Sequence, residues 1–189
     1  MKVVFFGSES SGKTTLCLEI AKYFSVPSCP EYVREYLKLR NLAENRQGII
    51  SVYDDIEPMS IGQAALEASF EKYFSNQEIS SKQITKLLLY DTNIETNWIY
   101  SNYYFQKTPK ILDMLVTQKQ YDLYLLLCPD IAWIDDGLRD SPDNRMEMHN
   151  LFKNYLIDNH RNFVEISGNY ENRFQQALCE IGKLCDESF

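Results

Sequence analysis

The sequence contains few of the features that mark several large protein classes. It has five cysteines, an odd number without C-x-x-C spacing, which argues against a disulfide framework or a zinc knuckle. Its 19 lysines and arginines are outnumbered by 27 aspartates and glutamates, so it lacks the basic face that duplex nucleic acid requires. No apolar run is long enough to span a membrane, and the first residues do not resemble a signal peptide. We therefore expect a cytoplasmic protein that binds neither nucleic acid nor membranes.

Hydrophobic residues account for 44 % of the chain, which suffices for a folded core, and we expect a single domain over residues 1–189. Short apolar runs predict strands at 3–6, 87–90, 123–127 and 163–166, with a weaker strand at 26–29 that prolines limit. Helical patterns lie at 13–24, 33–43, 61–74, 94–105, 109–119, 145–159 and 170–184, and a long loop is predicted at 45–57. This alternation predicts an α/β fold with a doubly wound parallel sheet of five strands and ligands at their carboxyl ends.

A glycine-rich turn links the first predicted strand to the first predicted helix. Residues 7–14, GSESSGKT, match G-x-x-x-x-G-K-[ST] at every fixed position. The backbone N–H groups of such a P-loop surround phosphate oxygens, and the following helix adds its positive N-terminal end. Lys13 is then expected to reach the outer phosphates and the Thr14 hydroxyl to hold Mg²⁺. The predicted ATP-binding residues are Gly7, Ser8, Glu9, Ser10, Ser11, Gly12, Lys13, Thr14 and Thr15.

An acidic residue ends the second long apolar run. Asp91 follows KLLLY, where a buried strand delivers its carboxylate to the ligand-binding edge of the sheet. Thr14 and Asp91 are therefore the predicted metal residues, the alternative for Asp91 being a helix cap. No N-K-x-D stretch for guanine follows the late strand at 123–127, so ATP is favoured. We expect a P-loop NTPase of the nucleoside and nucleotide kinase type.

Two further polar segments suit the acceptor side of a phosphoryl transferase. In PEYVREY, Glu31 is placed to accept the proton of an attacking hydroxyl, and Arg34 to hold a phosphate or orient Glu31. The alternative is an exposed ion pair at a helix start. Residues 133–145 suit a lid in which Arg139 stabilises the transferring phosphoryl group, the alternative being an ordinary acidic loop. Trp133 either stacks on a flat base or packs in the core.

Six segments together resemble a known family. FFGSESSGKTTL, PEYVREY, LYDTN, YDLYLLL, WIDDGLRD and NYENRF follow one another along most of the chain. They are similar to the nicotinamide riboside kinase domain of the NadR family of bacterial NAD-biosynthesis regulators and to the stand-alone NadR-like ATP-binding proteins. The resemblance implies ATP-dependent phosphorylation of nicotinamide riboside on its ribose 5′-hydroxyl, giving nicotinamide mononucleotide.

The resemblance also implies roles for individual residues. By matching position, Lys13, Glu31 and Arg139 are expected to be catalytic. The expected substrate-binding residues are Glu31, Arg34, Gln63, Asn93, Trp133 and Asp136. Gln63 lies within IGQAALE, on a helix expected to border the nucleoside pocket. The implied partner is a small nucleoside, and the implied cofactors are ATP and Mg²⁺.

One residue departs from the family pattern. NadR proteins usually carry a second acid two positions after the strand-end aspartate, whereas this chain has Asp91-Thr92-Asn93. Asn93 can hydrogen-bond a ribose hydroxyl, but it neither takes a proton nor carries charge to a cationic pyridinium ring. Two alternatives therefore stay open: a kinase for another small hydroxyl acceptor, and a module that binds ATP without a metabolic acceptor. The segment NWIYSNYYF suits core, pocket wall or a contact in a homo-oligomer.

Overall fold

The computed structural model describes residues 1–44, 51–74, 87–133 and 144–186. Its strands are β1 (Lys2–Phe6), β2 (Ser28–Cys29), β3 (Leu88–Asp91), β4 (Leu123–Leu127) and β5 (Phe163–Ile166). Its helices are α1 (Lys13–Phe24), α2 (Val33–Glu44), α3 (Tyr53–Phe74), α4 (Ile94–Phe105), α5 (Lys110–Thr117), α6 (Arg145–Asp158) and α7 (Tyr170–Asp186). Strands and helices alternate as the sequence predicts, and only α3 begins far from its predicted boundary.

The strands form one parallel sheet in the order β2-β3-β1-β4-β5. Because β1 lies between β3 and β4, the loop that follows β1 leaves the sheet at the middle of its carboxyl edge. Asp91, the last residue of β3, is in register with Phe5 of β1, so its carboxylate emerges beside that loop. The predicted doubly wound α/β fold with five parallel strands is confirmed.

Successive strand residues pack into two cores, one on each face of the sheet. Val4 and Phe6 of β1 pack on one face with apolar residues of α3, α4, α5 and α6. Val3 and Phe5 pack on the other face with residues of α1 and α7. Burial on both faces explains why the central strands are continuous apolar runs, and each large side chain buried in this way contributes about 1.5–3 kcal/mol. None of the helices within the described ranges is long and apolar enough to cross a membrane.

Helix α3 begins at Tyr53, so the prediction of a loop over 45–57 is wrong for residues 53–57. Asp55 anchors this start, because its carboxylate accepts a hydrogen bond from the N–H of Val52 at 2.8 Å, as in a capping box. Asp55 is also buried and paired with Arg40 of α2. Pro58 lies inside the helix and removes one intrahelical hydrogen bond. The contacts of Asp55 with α2 offset the lost hydrogen bond. Because these contacts form only in the folded protein, the sequence does not reveal that the helix starts here.

Candidate active site

Two glycines shape the loop between β1 and α1. Gly7 has a φ of 131°, and a Cβ there would lie 2.9 Å from the carbonyl oxygen of Leu127, too close for any side chain. Gly12 has a φ of 86° and is the N-cap of α1, so the helix begins directly from a left-handed turn. A loop of this shape, ending at a helix N-terminus, is suited to bind phosphate groups.

The side chain of Lys13 folds back over this loop. Its ammonium group donates hydrogen bonds to the carbonyl oxygens of Gly7 at 3.0 Å and Ser8 at 2.7 Å. Burial lowers the pKa of Lys13, whereas the nearby carboxylates of Glu31 and Asp91 favour its charged form. The Lys13 ammonium group is therefore bonded to backbone carbonyl oxygens of the loop, and a phosphate oxygen can replace them as its partner.

Asp91 lies where a metal ligand is expected. Its Oδ1 atom is buried and has no hydrogen-bond partner within the described part of the chain, which leaves its lone pairs available to a cation. Burial raises the pKa of Asp91, while a hydrogen bond from the Thr14 hydroxyl and the charge of Lys13 act in the opposite direction. A carboxylate beside a threonine hydroxyl is the hard oxygen pair that Mg²⁺ prefers, so these residues fit the ion.

Glu31 and Arg34 face the same region from the start of α2. The Nε of Arg34 donates to Oε2 of Glu31 at 3.2 Å, and the Glu31 side chain is only 23 % exposed. Burial raises the pKa of Glu31, with Lys13 opposing the shift, Asp91 adding to it and Arg34 opposing it again. The pair is therefore partly buried beside other charges, unlike the exposed ion pair of the alternative interpretation. A carboxylate in this environment is suited to accept a proton.

A cavity of about 190 Å³, here called the main pocket, joins these charged groups to helices α2, α3 and α4. Loop residues 9–15, Glu31 and Arg34 form its polar side. The rest of its wall consists of apolar, hydroxyl, amide and aromatic side chains: Val33, Leu37, Ser51, Ile56, Met59, Thr92, Thr96, Asn97, Tyr100 and Tyr104. The rings of Tyr100 and Tyr104 are stacked, with centroids 5.9 Å apart and planes inclined by 6°. Part of NWIYSNYYF is therefore pocket wall.

Trp133 lies beside the main pocket. It lines a smaller recess together with Met148, and this recess shares Glu9, Tyr100 and Tyr104 with the main pocket. Its half-buried side chain thus extends the aromatic wall toward the predicted lid. The lid residues Asp136 and Arg139 lie outside the described residues.

Arg145, the last residue of the segment predicted as a lid, lies against the P-loop. Its guanidinium group donates to the carbonyl oxygen of Ser10 at 3.2 Å and to that of Ile131 at 2.9 Å. Ser10 has a positive φ of 54°, a conformation that costs a residue with a side chain some free energy. Arg145 therefore helps to hold the loop in its curled shape.

Arg173 holds the loop from the last helix. Its side chain is 4 % exposed, and its guanidinium donates to the carbonyl oxygens of Ser11 at 2.6 Å and Cys128 at 2.7 Å. It is also paired with Asp130, which accepts a hydrogen bond from the N–H of Gly168 at 2.6 Å. One side chain of α7 thus joins the P-loop to the segments that follow β4 and β5.

Replacing Arg173 with methionine is expected to lower the free energy of unfolding by about 3 kcal/mol, because backbone carbonyls that it satisfies lose their buried donor. ATP affinity should fall as well, since the loop loses an anchor. Urea denaturation and ATP titration measure the two effects. Lys183→Met is the matched control on α7, because Lys183 is exposed and its ion pair with Glu180 is of the surface kind that contributes little to stability. Equal stability losses in the two variants would contradict the assignment.

Gln63 and Asn93 are buried, and neither lines the main pocket. The Oε1 of Gln63 accepts a hydrogen bond from the N–H of Tyr32 at 2.9 Å, so Gln63 supports the loop that carries Glu31. Asn93 is the N-cap of α4, and its amide donates to Glu95 at 3.0 Å. The predicted roles of both residues in substrate binding stay predictions.

The sequence left NWIYSNYYF open between core, pocket wall and oligomer contact, and it did not reveal which residues anchor the P-loop. Asn97, Tyr100 and Tyr104 have helical spacing on one face of α4, a signal that was available once Asp91 had been placed before that helix. Arg173 lies within NYENRF, but its sequence context does not distinguish it from an exposed helical arginine. Its role depends on which carbonyl groups the fold places beside it.

The central P-loop strand and the parallel order of the sheet define an α/β protein of the P-loop nucleotide-binding class. The model of the AAA_28 family, described as an AAA domain, matches residues 2–173. The chain belongs to this family.

Among curated proteins, the chain is 29 % identical over 188 residues to the trifunctional NAD biosynthesis/regulator protein NadR of Escherichia coli K12, and 28 % identical to that of Salmonella typhimurium LT2. These alignments cover 98 % of this chain but only 43 % of each relative, so the chain spans less than half the length of the curated relatives it matches. The predicted resemblance to NadR is confirmed.

Two solved structures show the same fold. A crystal structure of NadR protein in complex with NR has a TM-score of 0.73 at 24 % identity, covering 96 % of this chain and 50 % of that one. Deoxyadenosine kinase from M. mycoides has a TM-score of 0.64 at 11 % identity, covering 97 % of this chain and 100 % of that one. The fold is therefore that of P-loop nucleoside kinases, as predicted.

Proposed function

We propose that this chain is an ATP-dependent kinase that phosphorylates nicotinamide riboside to nicotinamide mononucleotide. The observation that carries the proposal is the continuity of the main pocket, which has the P-loop and Glu31 on one side and Tyr100 and Tyr104 on the other. A nucleoside in this pocket has a cavity wall for its flat base and a carboxylate for its hydroxyl. The similarity to NadR proteins, one of them solved with NR, supports nicotinamide riboside as that nucleoside.

The proposed reaction depends on alignment and charge more than on covalent chemistry of the protein. Glu31 accepts the proton of the ribose 5′-hydroxyl while the 5′-oxygen forms a bond to the γ-phosphorus of ATP. The bond between the γ-phosphorus and the β–γ bridging oxygen breaks, and ADP leaves. Lys13 neutralises the outer phosphates, and Arg34 keeps Glu31 oriented. Thr14 and Asp91 would hold Mg²⁺, which would supply further positive charge to the phosphates.

The rest of the proposal concerns the domain and its lid. We assign one kinase domain to residues 1–189, with a lid at 133–145 that excludes water when it closes. Arg139 and Asp136 are assigned to that lid, Arg139 on the transferring phosphoryl group and Asp136 on the nucleoside. Trp133 lies at the rim of the pocket where the lid begins, beside the stacked tyrosines.

The deciding experiment measures ATP consumption with and without nicotinamide riboside and identifies the products by mass spectrometry. ADP and nicotinamide mononucleotide in equal amounts support the proposal. Phosphorylation of another nucleoside at a much higher kcat/KM would assign the pocket to a different acceptor. Slow ADP formation that no nucleoside accelerates would instead indicate a module that binds and hydrolyses ATP without an acceptor.

Replacing Asp91 with asparagine is expected to raise the Mg²⁺ concentration for half-maximal activity roughly tenfold, because a neutral amide oxygen is a weaker ligand than a carboxylate. The measurement is a magnesium titration of initial rate at saturating ATP. Asp54→Asn, which alters an exposed carboxylate on α3, should leave the titration unchanged. A normal magnesium requirement in Asp91→Asn would remove Asp91 from the metal site.

A further inference from the structure

Glu67, on α3, is a buried carboxylate that does not line the main pocket. Its side chain is 0 % exposed, and each of its oxygens accepts two donors. Oε1 accepts from the side-chain amide of Gln63 and from the N–H of Ile94, both at 3.0 Å. Oε2 accepts from the hydroxyl of Tyr121 at 2.7 Å and from the ammonium group of Lys119 at 3.0 Å. A carboxylate so fully bonded fixes the relative positions of every segment that donates to it.

One of these donors leads to the segment that carries Glu31. The amide of Gln63 donates to Glu67, and its oxygen accepts from the N–H of Tyr32, the residue after Glu31. Gly62 completes this contact, because a Cβ at that position would lie 2.0 Å from the Tyr32 ring. Helix α3 and the segment at Glu31 are therefore packed together with no room for a side chain between them.

Another donor leads to the segment that carries Asp91. Ile94 is the first residue of α4, three positions after Asp91, and its N–H is one of the groups that a helix cannot satisfy internally. The local N-cap, Asn93, makes no side-chain capping bond, so Glu67 supplies the acceptor from another helix. A carboxylate at this place also complements the positive end of the α4 dipole.

We propose that Glu67 is a positioning residue that holds Glu31, in the wall of the main pocket, in place relative to Asp91. This inference rests on the proposed function, since that function gives Glu31 and Asp91 their roles in acceptor and metal binding. A carboxylate that only neutralised Lys119 would need neither the Gln63 amide nor the Ile94 N–H. Glu67 binds both groups. The Gln63 amide is linked through the Tyr32 N–H to the segment that carries Glu31, and the Ile94 N–H lies three residues after Asp91.

Glu67→Gln tests the proposal against the matched variant Glu71→Gln. Glu71 is one helical turn further along α3 and shares Lys119 at 3.7 Å, but it accepts its other hydrogen bonds from Lys2 and Tyr90 within the described part of the chain. Both variants lose a charge from the same ion-pair network, so both are expected to melt at a lower temperature. Only Glu67→Gln is expected to lower kcat, by about 10- to 100-fold, with the KM for ATP unchanged, because misplacement of reacting groups is costly. Equal kcat losses in both variants, or none in Glu67→Gln, would overturn the proposal.

Amide hydrogen exchange tests the positioning role of Glu67 without a nucleoside substrate. Exchange at the Tyr32 and Ile94 N–H groups should accelerate in Glu67→Gln and not in Glu71→Gln. Gln63→Met keeps the ion pair of Glu67 with Lys119 and should accelerate exchange at the Tyr32 N–H but not at the Ile94 N–H. This variant replaces Glu67→Gln in the test if Glu67→Gln does not fold. Unchanged exchange at these amides refutes the positioning role. If the wild type phosphorylates no nucleoside, the proposed function fails, while the exchange data still decide whether Glu67 joins the two segments.

Discussion

Lys13→Ala is expected to reduce kcat by about 10³-fold while the protein stays folded. Loss of one preorganised charge from a phosphoryl-transfer site removes stabilisation that is largest in the transition state. Burial lowers the pKa of Lys13, so its charge is held at a cost, and its removal does not weaken the folded state greatly. The measurement is kcat from ADP release at saturating ATP and nucleoside, with the fold checked by circular dichroism.

Lys22→Ala is the control for this prediction. Lys22 is an exposed lysine in the last turn of the same helix, where its charge complements the helix dipole. It should lose a few tenths of a kcal/mol of stability and retain full turnover. Near-normal turnover in Lys13→Ala would show that the loop lysine does not act on the transferring phosphate.

The second large effect is expected for Glu31→Gln, with kcat falling about 10²-fold and nucleoside affinity little changed. Glutamine keeps the size and the hydrogen-bonding oxygen of glutamate but cannot take the proton of an attacking hydroxyl. A loss confined to kcat identifies a group that acts in the transition state. Glu35→Gln, on the helix that follows Glu31, is the control, because Glu35 is exposed and forms an ion pair with Lys38. If Glu31→Gln changed affinity alone, Glu31 would be a binding residue.

The raised pKa of Glu31 determines how stability and kcat change with pH. Burial raises the pKa of Glu31 above that of an ordinary glutamate, so the ionised form is less favourable in the folded protein than in the unfolded chain. Stability from this group is therefore present at low pH and is lost as pH rises through the folded pKa. The wild type should lose kcat on acidification at a higher pH than an ordinary carboxylate implies. Glu31→Gln should lack this limb and be at least as stable as the wild type at neutral pH.

Features encoded in consecutive residues were predictable from the sequence. The bounds of α1, α4, β4 and β5 follow from local periodicity, and the P-loop follows from the spacing of Gly7, Gly12 and Lys13. Asp91 was placed correctly at a strand end because a parallel sheet brings all carboxyl ends to one edge. In each case the physical cause acts within a few residues or through a general property of the fold.

Features that depend on distant partners were not predictable. The start of α3 was missed because Asp55 is anchored by α2, and Pro58 disguises the helix. Glu67 has the helix-forming context of an exposed glutamate, and only the fold brings the Ile94 N–H and the Tyr121 hydroxyl to it. The Asn93 amide donates to the buried Glu95, and the predicted role of Asn93 in substrate binding stays a prediction.

The bond between Arg173 and the loop carbonyl of Ser11 also constrains biosynthesis. The two residues are 162 positions apart in the chain, so a nascent polypeptide that already contains the whole glycine-rich motif still lacks its clamp. During translation, residues 7–14 must wait until the segment that carries Arg173 has emerged from the ribosome. The clamp on the loop is therefore added late, and a product terminated before Arg173 is left without it.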